Sequence, residues 1–151
     1  MNLRALIFDD DSAIRKVLWM FFDSRGYEVF TFPNPALCPL AEETVCPCPE
    51  DQSCTDVIIS DIKMPLLNGL DFIAEQIEKG CKCKNIALMS GRFTMADFAK
   101  AKTLGLTLFP KPFSLAEIRK WLVDIETDID PSRKLADWYI NRIQTSKGEP
   151  Q

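Results

Sequence analysis

The 151-residue sequence contains no histidine. Without an imidazole the chain cannot build a Ser-His-Asp triad or a histidine-ligated metal site. It also has no long hydrophobic run, since its apolar stretches, such as ALIF, VLWMFF and VII, are short, far below the ~20 residues of a membrane-spanning helix. There is no stretch rich in lysine and arginine, and the net charge is −4. We therefore expect neither a membrane span nor direct nucleic-acid binding.

The N-terminus does not have the pattern of a secretory signal, because MNLRALIFDDD becomes acidic after four apolar residues. We therefore expect a cytoplasmic chain. Its length suits one domain with a normal core. Apolar residues make up 46% and charged residues 26% of the chain, which is ordinary for a globular protein.

Apolar and alternating segments predict five strands, with amphipathic helices between them. The strands are LRALIF at 3–8, YEVFTF at 27–32, VIIS at 57–60, IALMS at 86–90 and LTLF at 106–109. Helices are predicted after Asp11, from Leu70 to Gly80, around 95–103 and after Ser114. Such an alternation of strands and helices predicts an α/β fold with a parallel sheet.

The crossover at residues 33–54 departs from this regularity, because it contains five prolines and four cysteines. Proline disfavours a helix interior by roughly 3 kcal/mol. We expect a short helix over about 35–43 at most, followed by irregular chain.

Residues 128–151 are predicted to be a helical extension of a domain at 1–127. Asp130 suits an N-cap, and Pro131 suits the first helical position. The extension is too short for an output domain. Its stripe either packs on its own domain or forms a dimer or partner surface, and its members are Leu135, Trp138, Tyr139 and Ile143.

Polar residues follow four of the predicted strands. Asp9 and Asp10 follow the first, Asp61 the third, Ser90 the fourth and Lys111 the last. Because the carboxyl ends of parallel strands share one edge, these residues should converge. Carboxylates suit Mg²⁺ and can attack phosphorus, and an ammonium can pair with a phosphoryl group. Each residue taken alone favours the interpretation as an ordinary helix terminus or solvated charge. Together they indicate phosphoryl transfer onto an aspartate.

The sequence here resembles the receiver domain of two-component response regulators over about residues 3–127. The matching segments are FDDDSAIRKVL at 8–18, SDIKMPLLNG at 60–69, MSGR at 89–92 and FPKPF at 109–113. The resemblance implies a doubly wound, flavodoxin-like sheet of five parallel strands in the order 2-1-3-4-5. It departs at Leu108, where receivers usually carry Tyr or Phe; strand alternation should turn Phe109 to the other face.

The resemblance also implies roles for the residues at the strand ends. Asp61 becomes the phosphoacceptor, Ser90 the switch hydroxyl and Lys111 the phosphoryl contact, next to a cis peptide at Pro112. The Mg²⁺ ligands become Asp9 (through water), Asp10, Asp61 and the backbone carbonyl of Lys63.

Such a chain is a signalling switch rather than an enzyme, phosphorylated by a sensor histidine kinase or a phosphotransfer protein. With no output domain expected, it should act as a stand-alone regulator on a downstream protein target. Phosphorylation should bias the surface formed by the helix at 95–103, the strand at 106–109 and the helix after Ser114.

Six cysteines are many for a cytoplasmic chain of this length. They are Cys38, Cys46, Cys48 and Cys54 in the crossover, and Cys81 and Cys83 before the fourth strand. Apart from Cys38, both groups should lie at the amino-terminal edge of the sheet. Three interpretations stay open: reduced thiols, a zinc or iron–sulfur site, and redox-active disulfides. The alternative function is therefore a cysteine-based metal or redox sensor on a receiver scaffold.

Overall fold

Five parallel strands form one sheet in the order β2-β1-β3-β4-β5, which confirms the predicted topology. The computed structural model describes residues 2–140. The strands are β1 (Leu3–Phe8), β2 (Tyr27–Phe32), β3 (Val57–Asp61), β4 (Asn85–Ser90) and β5 (Thr107–Pro110). None of the helices within these residues is long and apolar enough to cross a membrane.

Four helices cover the two faces of the sheet. They are α1 (Ser12–Ser24), α2 (Gly69–Glu78), α3 (Met95–Leu104) and α4 (Leu115–Glu126). Because strand side chains alternate, Ile7 faces a core that contains Leu18 of α1 and Leu122 of α4. The neighbouring Leu6 faces the opposite core, against Ile73 of α2. Both faces are therefore buried, as a parallel sheet requires.

The crossover between β2 and β3 is irregular, as predicted. Instead of a short α-helix it contains two 3₁₀ turns, Pro35–Leu37 and Pro39–Ala41. Each turn begins at a proline, and Cys38 between them is extended, so one helix cannot run through both. Farther along, the Cys46 amide donates to the Lys79 carbonyl over 2.8 Å, which ties the crossover to the loop after α2.

The predicted helix after Pro131 is wrong for the part that the structure describes. Residues 131–139 contain turns and an isolated bridge, in which Leu135 pairs with Ser53. Ile143 and Gly148 lie outside the described residues. Periodicity alone stabilises a helix of this length poorly in water, and here contacts with the domain determine the backbone.

Charged side chains anchor this C-terminal segment along the amino-terminal edge of the sheet. Arg4 pairs with Asp137 over 2.7 Å, and Arg133 donates to Asp56 Oδ1 over 2.7 Å. Tyr139 is fully buried. The segment therefore packs on its own domain, and Tyr139 is not available as a dimer anchor.

We expect Tyr139→Phe to lower the free energy of unfolding by about 1 kcal/mol, the usual net worth of one buried hydrogen bond. The Tyr139 hydroxyl donates to the Cys54 carbonyl over 2.8 Å, and phenylalanine would leave that carbonyl without this donor. Urea unfolding of both proteins measures the difference. An unchanged free energy of unfolding would show that this contact does not hold the segment.

Candidate functional site

The strand register brings the predicted site residues to one edge of the sheet. Phe8 is paired with Ser60, so Asp9 and Asp61 follow at the same level. Ser90 is in turn paired with Pro110, directly before Lys111. Since all strands are parallel, this is the carboxyl edge, where α/β proteins bind ligands.

Three carboxylates meet there. One oxygen from each of Asp9, Asp10 and Asp61 lies within 4.8 Å of the others. Asp9 is fully buried and Asp61 nearly so, whereas Asp10 is exposed. This arrangement gives the cluster one side that is open to solvent and to a reactant.

Lys111 supplies a positive charge to the two buried carboxylates. Its Nζ lies 2.8 Å from Asp9 Oδ2 and 3.4 Å from Asp61 Oδ1. Its backbone amide donates to the Ser90 carbonyl over 2.8 Å. The peptide bond between Lys111 and Pro112 is cis, as the resemblance implied.

Burial and mutual repulsion make the carboxylates costly to ionise. Burial, followed by the charge of Asp9, raises the pKa of Asp61 to about 6 although Lys111 opposes the shift. Burial also raises the pKa of Asp9, against the hydrogen bond from Lys111. Burial disfavours the charge of Lys111, but its hydrogen bond to Asp9 prevails and the pKa of Lys111 is raised.

Two further contacts hold Asp9. The Asp11 amide donates to Asp9 Oδ1 over 2.9 Å, while the Asp11 side chain caps α1. Arg15 donates from Nη1 to the Asp9 carbonyl over 2.8 Å. Arg15 does not stand out in the sequence motifs as part of the site. Its position one turn after the N-cap, on the buried side of α1, was the available signal.

Gly69 allows α2 to begin directly against the end of β3. Its amide donates to the Ile62 carbonyl over 2.8 Å. A Cβ at this position would lie 1.9 Å from the Asp61 carbonyl oxygen and 2.7 Å from Ser60 Oγ. The glycine of the SDIKMPLLNG segment therefore serves close packing beneath Asp61.

Ser90 is buried at the end of β4 and bonded to its own loop. Its hydroxyl donates to the Arg92 carbonyl over 2.7 Å and accepts from the Arg92 amide over 3.1 Å. The Lys63 side chain, two residues after Asp61, is exposed.

Leu108, at the position where receivers usually carry Tyr or Phe, packs with the core on the α2 face. Phe109 faces the opposite core and packs on Trp121, with ring centroids 5.6 Å apart. This confirms the expected orientation of Phe109.

The residues at this edge fit a divalent cation. Two of the carboxylates are buried, and the three ligand oxygens are already close. The raised pKa values of Asp9 and Asp61 show that Lys111 only partly compensates for the concentrated negative charge. Oxygen ligands of this type suit Mg²⁺, which keeps several waters and binds through one or two carboxylates.

The response regulator receiver domain model matches residues 5–123. The chain belongs to this family. Receivers are switches in two-component phosphorelay signalling, and they interact with histidine kinases or phosphotransfer proteins. They bind Mg²⁺ at an acidic pocket of aspartates, which corresponds to the site described above.

Individual relatives have the same character. The chain is 37% identical to the DNA-binding transcriptional regulator NtrC of Azospirillum brasilense, over 75% of this receiver and 22% of that protein. It is 29% identical to Sporulation initiation phosphotransferase F of Bacillus subtilis, over 79% of this receiver and 90% of that protein. The structure of the chemotaxis protein CheY4 of Vibrio cholerae matches with a TM-score of 0.64 and 26% identity, covering 83% and 99% of the two chains.

The cysteines lie away from this site. Cys54 precedes β3 and Cys83 precedes β4, which places them at the amino-terminal edge, as expected. Cys48 lies close enough to Cys46 and Cys54 to contribute to the raised pKa values of both thiols, beside the effect of burial. All six cysteines are free thiols in the structure, and they are Cys38, Cys46, Cys48, Cys54, Cys81 and Cys83.

Proposed function

We propose that this receiver accepts a phosphoryl group on Asp61 from a histidine kinase or a phosphotransfer protein. The supporting observation is the position of Asp61 Oδ1, beside two further carboxylates and 3.4 Å from the Lys111 ammonium. A carboxylate in this setting can act as the nucleophile on phosphorus. Lys111 then pairs with the incoming phosphoryl oxygens as a point charge.

The same residues would bind Mg²⁺, each in a different way. Asp10 and Asp61 would be the direct ligands, together with the Lys63 backbone carbonyl, and Asp9 would act through water. That division agrees with the contacts of Asp9, whose two carboxylate oxygens already accept bonds from Lys111 and the Asp11 amide. When bound, Mg²⁺ neutralises the charge of the carboxylates and of the phosphoryl oxygens.

Phosphorylation acts as a switch because it adds acceptor oxygens beside two donors that have other partners. Lys111 is held mainly by Asp9, and the Ser90 hydroxyl donates to the Arg92 carbonyl. Drawing these donors toward a phosphoryl group on Asp61 moves the loops that precede α3 and α4.

The surface affected by this movement carries exposed apolar side chains. Met95 is 89% and Phe98 is 53% exposed on α3, and Val123 is 51% exposed on α4. A downstream protein target with an apolar contact area fits this surface. We propose that the receiver contacts this target directly, through the exposed side chains of α3 and α4.

Incubation with acetyl phosphate and Mg²⁺ tests the proposed chemistry without a kinase. The wild-type chain should gain one phosphoryl group, observed by intact-protein mass spectrometry. An acyl phosphate is cleaved by neutral hydroxylamine, whereas a phosphoserine is not. A phosphoryl group that resists hydroxylamine, or no gain in mass, contradicts the proposal.

We expect Mg²⁺ affinity to fall as the pH drops below about 6, the raised pKa of Asp61. A ligand must be deprotonated to bind metal, so a single competing proton weakens binding by about tenfold per pH unit well below that pKa. The folded-state pKa lies above the ordinary value of 3.8, so protonation of Asp61 favours the folded chain. Loss of Mg²⁺ therefore cannot come from acid unfolding through this group.

Isothermal titration calorimetry from neutral pH down to about pH 5 measures this dependence. Asp61→Asn is the control, because its residual Mg²⁺ binding should have lost most of the pH dependence in this range. Equal slopes in the two proteins would assign the titration to another group.

A further inference from the structure

Five of the six cysteines come together at the amino-terminal edge of the sheet, opposite the aspartate pocket. Three belong to the crossover and two to the loop between α2 and β4: Cys46, Cys48, Cys54, Cys81 and Cys83. The structure thus brings sulfur atoms from two distant segments of the chain into one cluster. Signalling through Asp61 assigns no task to this cluster.

Four of these cysteines surround or adjoin one small cavity. Cys46, Cys54 and Cys81 line a space of about 10 Å³, together with Trp138. Such a volume holds one water-sized occupant. Cys48 follows Cys46 by two residues and interacts electrostatically with Cys54, so a fourth sulfur lies next to this space.

Backbone contacts hold the two segments together without help from the sulfur atoms. The Cys46 amide donates to the Lys79 carbonyl over 2.8 Å, and the Cys81 amide donates to the Gln76 carbonyl over 3.0 Å. Gly80 has a φ of +95°, which allows the chain to turn sharply before Cys81. The Tyr139 hydroxyl holds the Cys54 carbonyl from the C-terminal side.

We propose that Cys46, Cys48, Cys54 and Cys81 form a structural zinc site. Thiolates are the preferred ligands of structural zinc, which is almost always tetrahedral and four-coordinate. Four thiolates around Zn²⁺ have a net charge of −2. Lys79 lines the cavity, and Lys82 lies beside it with its Nζ bonded to the Gly80 carbonyl over 2.8 Å. Both lysines can offset that charge.

The remaining two cysteines are not ligands. Cys83 is buried, and its Sγ donates to the Asn85 carbonyl over 3.8 Å. Cys38 is fully buried beside Leu40 in the crossover. Cys46 and Cys81 are half-buried, which leaves a path for an ion to enter.

Zinc binding draws the four sulfur atoms inward. Among residues 2–140, three or more potential ligand atoms lie within 4.8 Å of one another at the acidic pocket but not at the cysteines. The sulfurs are spread more widely around their cavity, and Zn–S bonds of about 2.3 Å close that space. Closure also tightens the C-terminal segment, because Trp138 lines the same cavity.

The test is zinc loading of the full chain under anaerobic conditions with all thiols reduced. The protein used is a parent variant with Asp10→Ala and Asp61→Asn, which remove the competing acidic pocket. Excess Mg²⁺ is present throughout. Metal analysis should find one zinc per chain. Cobalt in place of zinc should give the intense absorption of a tetrahedral thiolate complex, and zinc should raise the melting temperature, since it binds the folded chain.

Matched serine variants identify the ligands. Cys81→Ser, at a half-buried position, should abolish stoichiometric zinc retention and the cobalt spectrum. Cys38→Ser and Cys83→Ser should retain both. Circular dichroism establishes that each variant is folded, and any unfolded variant is replaced by the corresponding alanine.

Three results would overturn the proposal. The first is a reduced parent variant that binds no zinc. The second is a folded Cys81→Ser variant whose zinc retention equals that of the parent variant. The third is a native chain isolated with a disulfide between Cys48 and Cys54. The last result would assign the thiols to redox chemistry.

Discussion

Asp61→Asn is expected to abolish phosphoryl labelling by acetyl phosphate in the presence of Mg²⁺. The amide has nearly the shape of the carboxylate but is a poor nucleophile. Stability should be retained or increased, because burial and the neighbouring Asp9 already disfavour the Asp61 charge and raise its pKa. Mass spectrometry measures labelling, and urea unfolding measures stability.

Asp71→Asn is the matched control. Asp71 lies on α2 with an exposed side chain, paired to Lys100 over 3.0 Å, and it has no contact with the pocket. This variant should be labelled like the wild type. Hydroxylamine-sensitive labelling that persists in Asp61→Asn would move the phosphoacceptor to another carboxylate.

Gly69→Ala is expected to damage both the fold and the site. The added Cβ would lie 1.9 Å from the Asp61 carbonyl oxygen, so either α2 or the end of β3 must shift. Overpacking of this severity should cost about 3 kcal/mol, the upper end of the usual range. Because the shift also displaces Asp61, the labelling rate should fall roughly 100-fold.

Gly91→Ala separates this steric effect from the general effect of replacing glycine. Gly91 follows Ser90 near the same pocket, but a Cβ there meets nothing within 4 Å. Its free energy of unfolding should change by less than about 1 kcal/mol. Equal losses of stability and labelling rate in the two alanine variants would contradict the packing role of Gly69.

The convergence of the site residues could be predicted, because all strands of a parallel sheet end at the same edge. Each apolar run that ends in a polar residue places that residue at the carboxyl edge. Asp9, Asp61, Ser90 and Lys111 therefore converge although they are far apart in the chain. The irregular crossover was also predictable, since its prolines remove helical hydrogen bonds locally.

The contacts that support the site could not be predicted from the sequence, because they depend on distances between segments. The Arg15 bond to the Asp9 carbonyl depends on the angle at which α1 leaves β1. The function of Gly69 as a packing residue depends on how closely α2 approaches β3. Neither distance is encoded in hydrophobic periodicity.

The C-terminal segment shows most clearly where the sequence-based prediction and the tertiary structure differ. Its apolar spacing and its Asp130-Pro131 start are typical of a helix, yet Leu135 pairs with Ser53 and Tyr139 is buried against the crossover. The sequence by itself determined the parallel sheet and the convergence of the aspartates, because these follow from local patterns repeated along the chain, whereas the order of the strands was implied by the resemblance to receiver domains. Only the tertiary structure decided the path of the last segment and the meeting of the cysteines, because ion pairs and burial between distant residues outweigh a weak local preference.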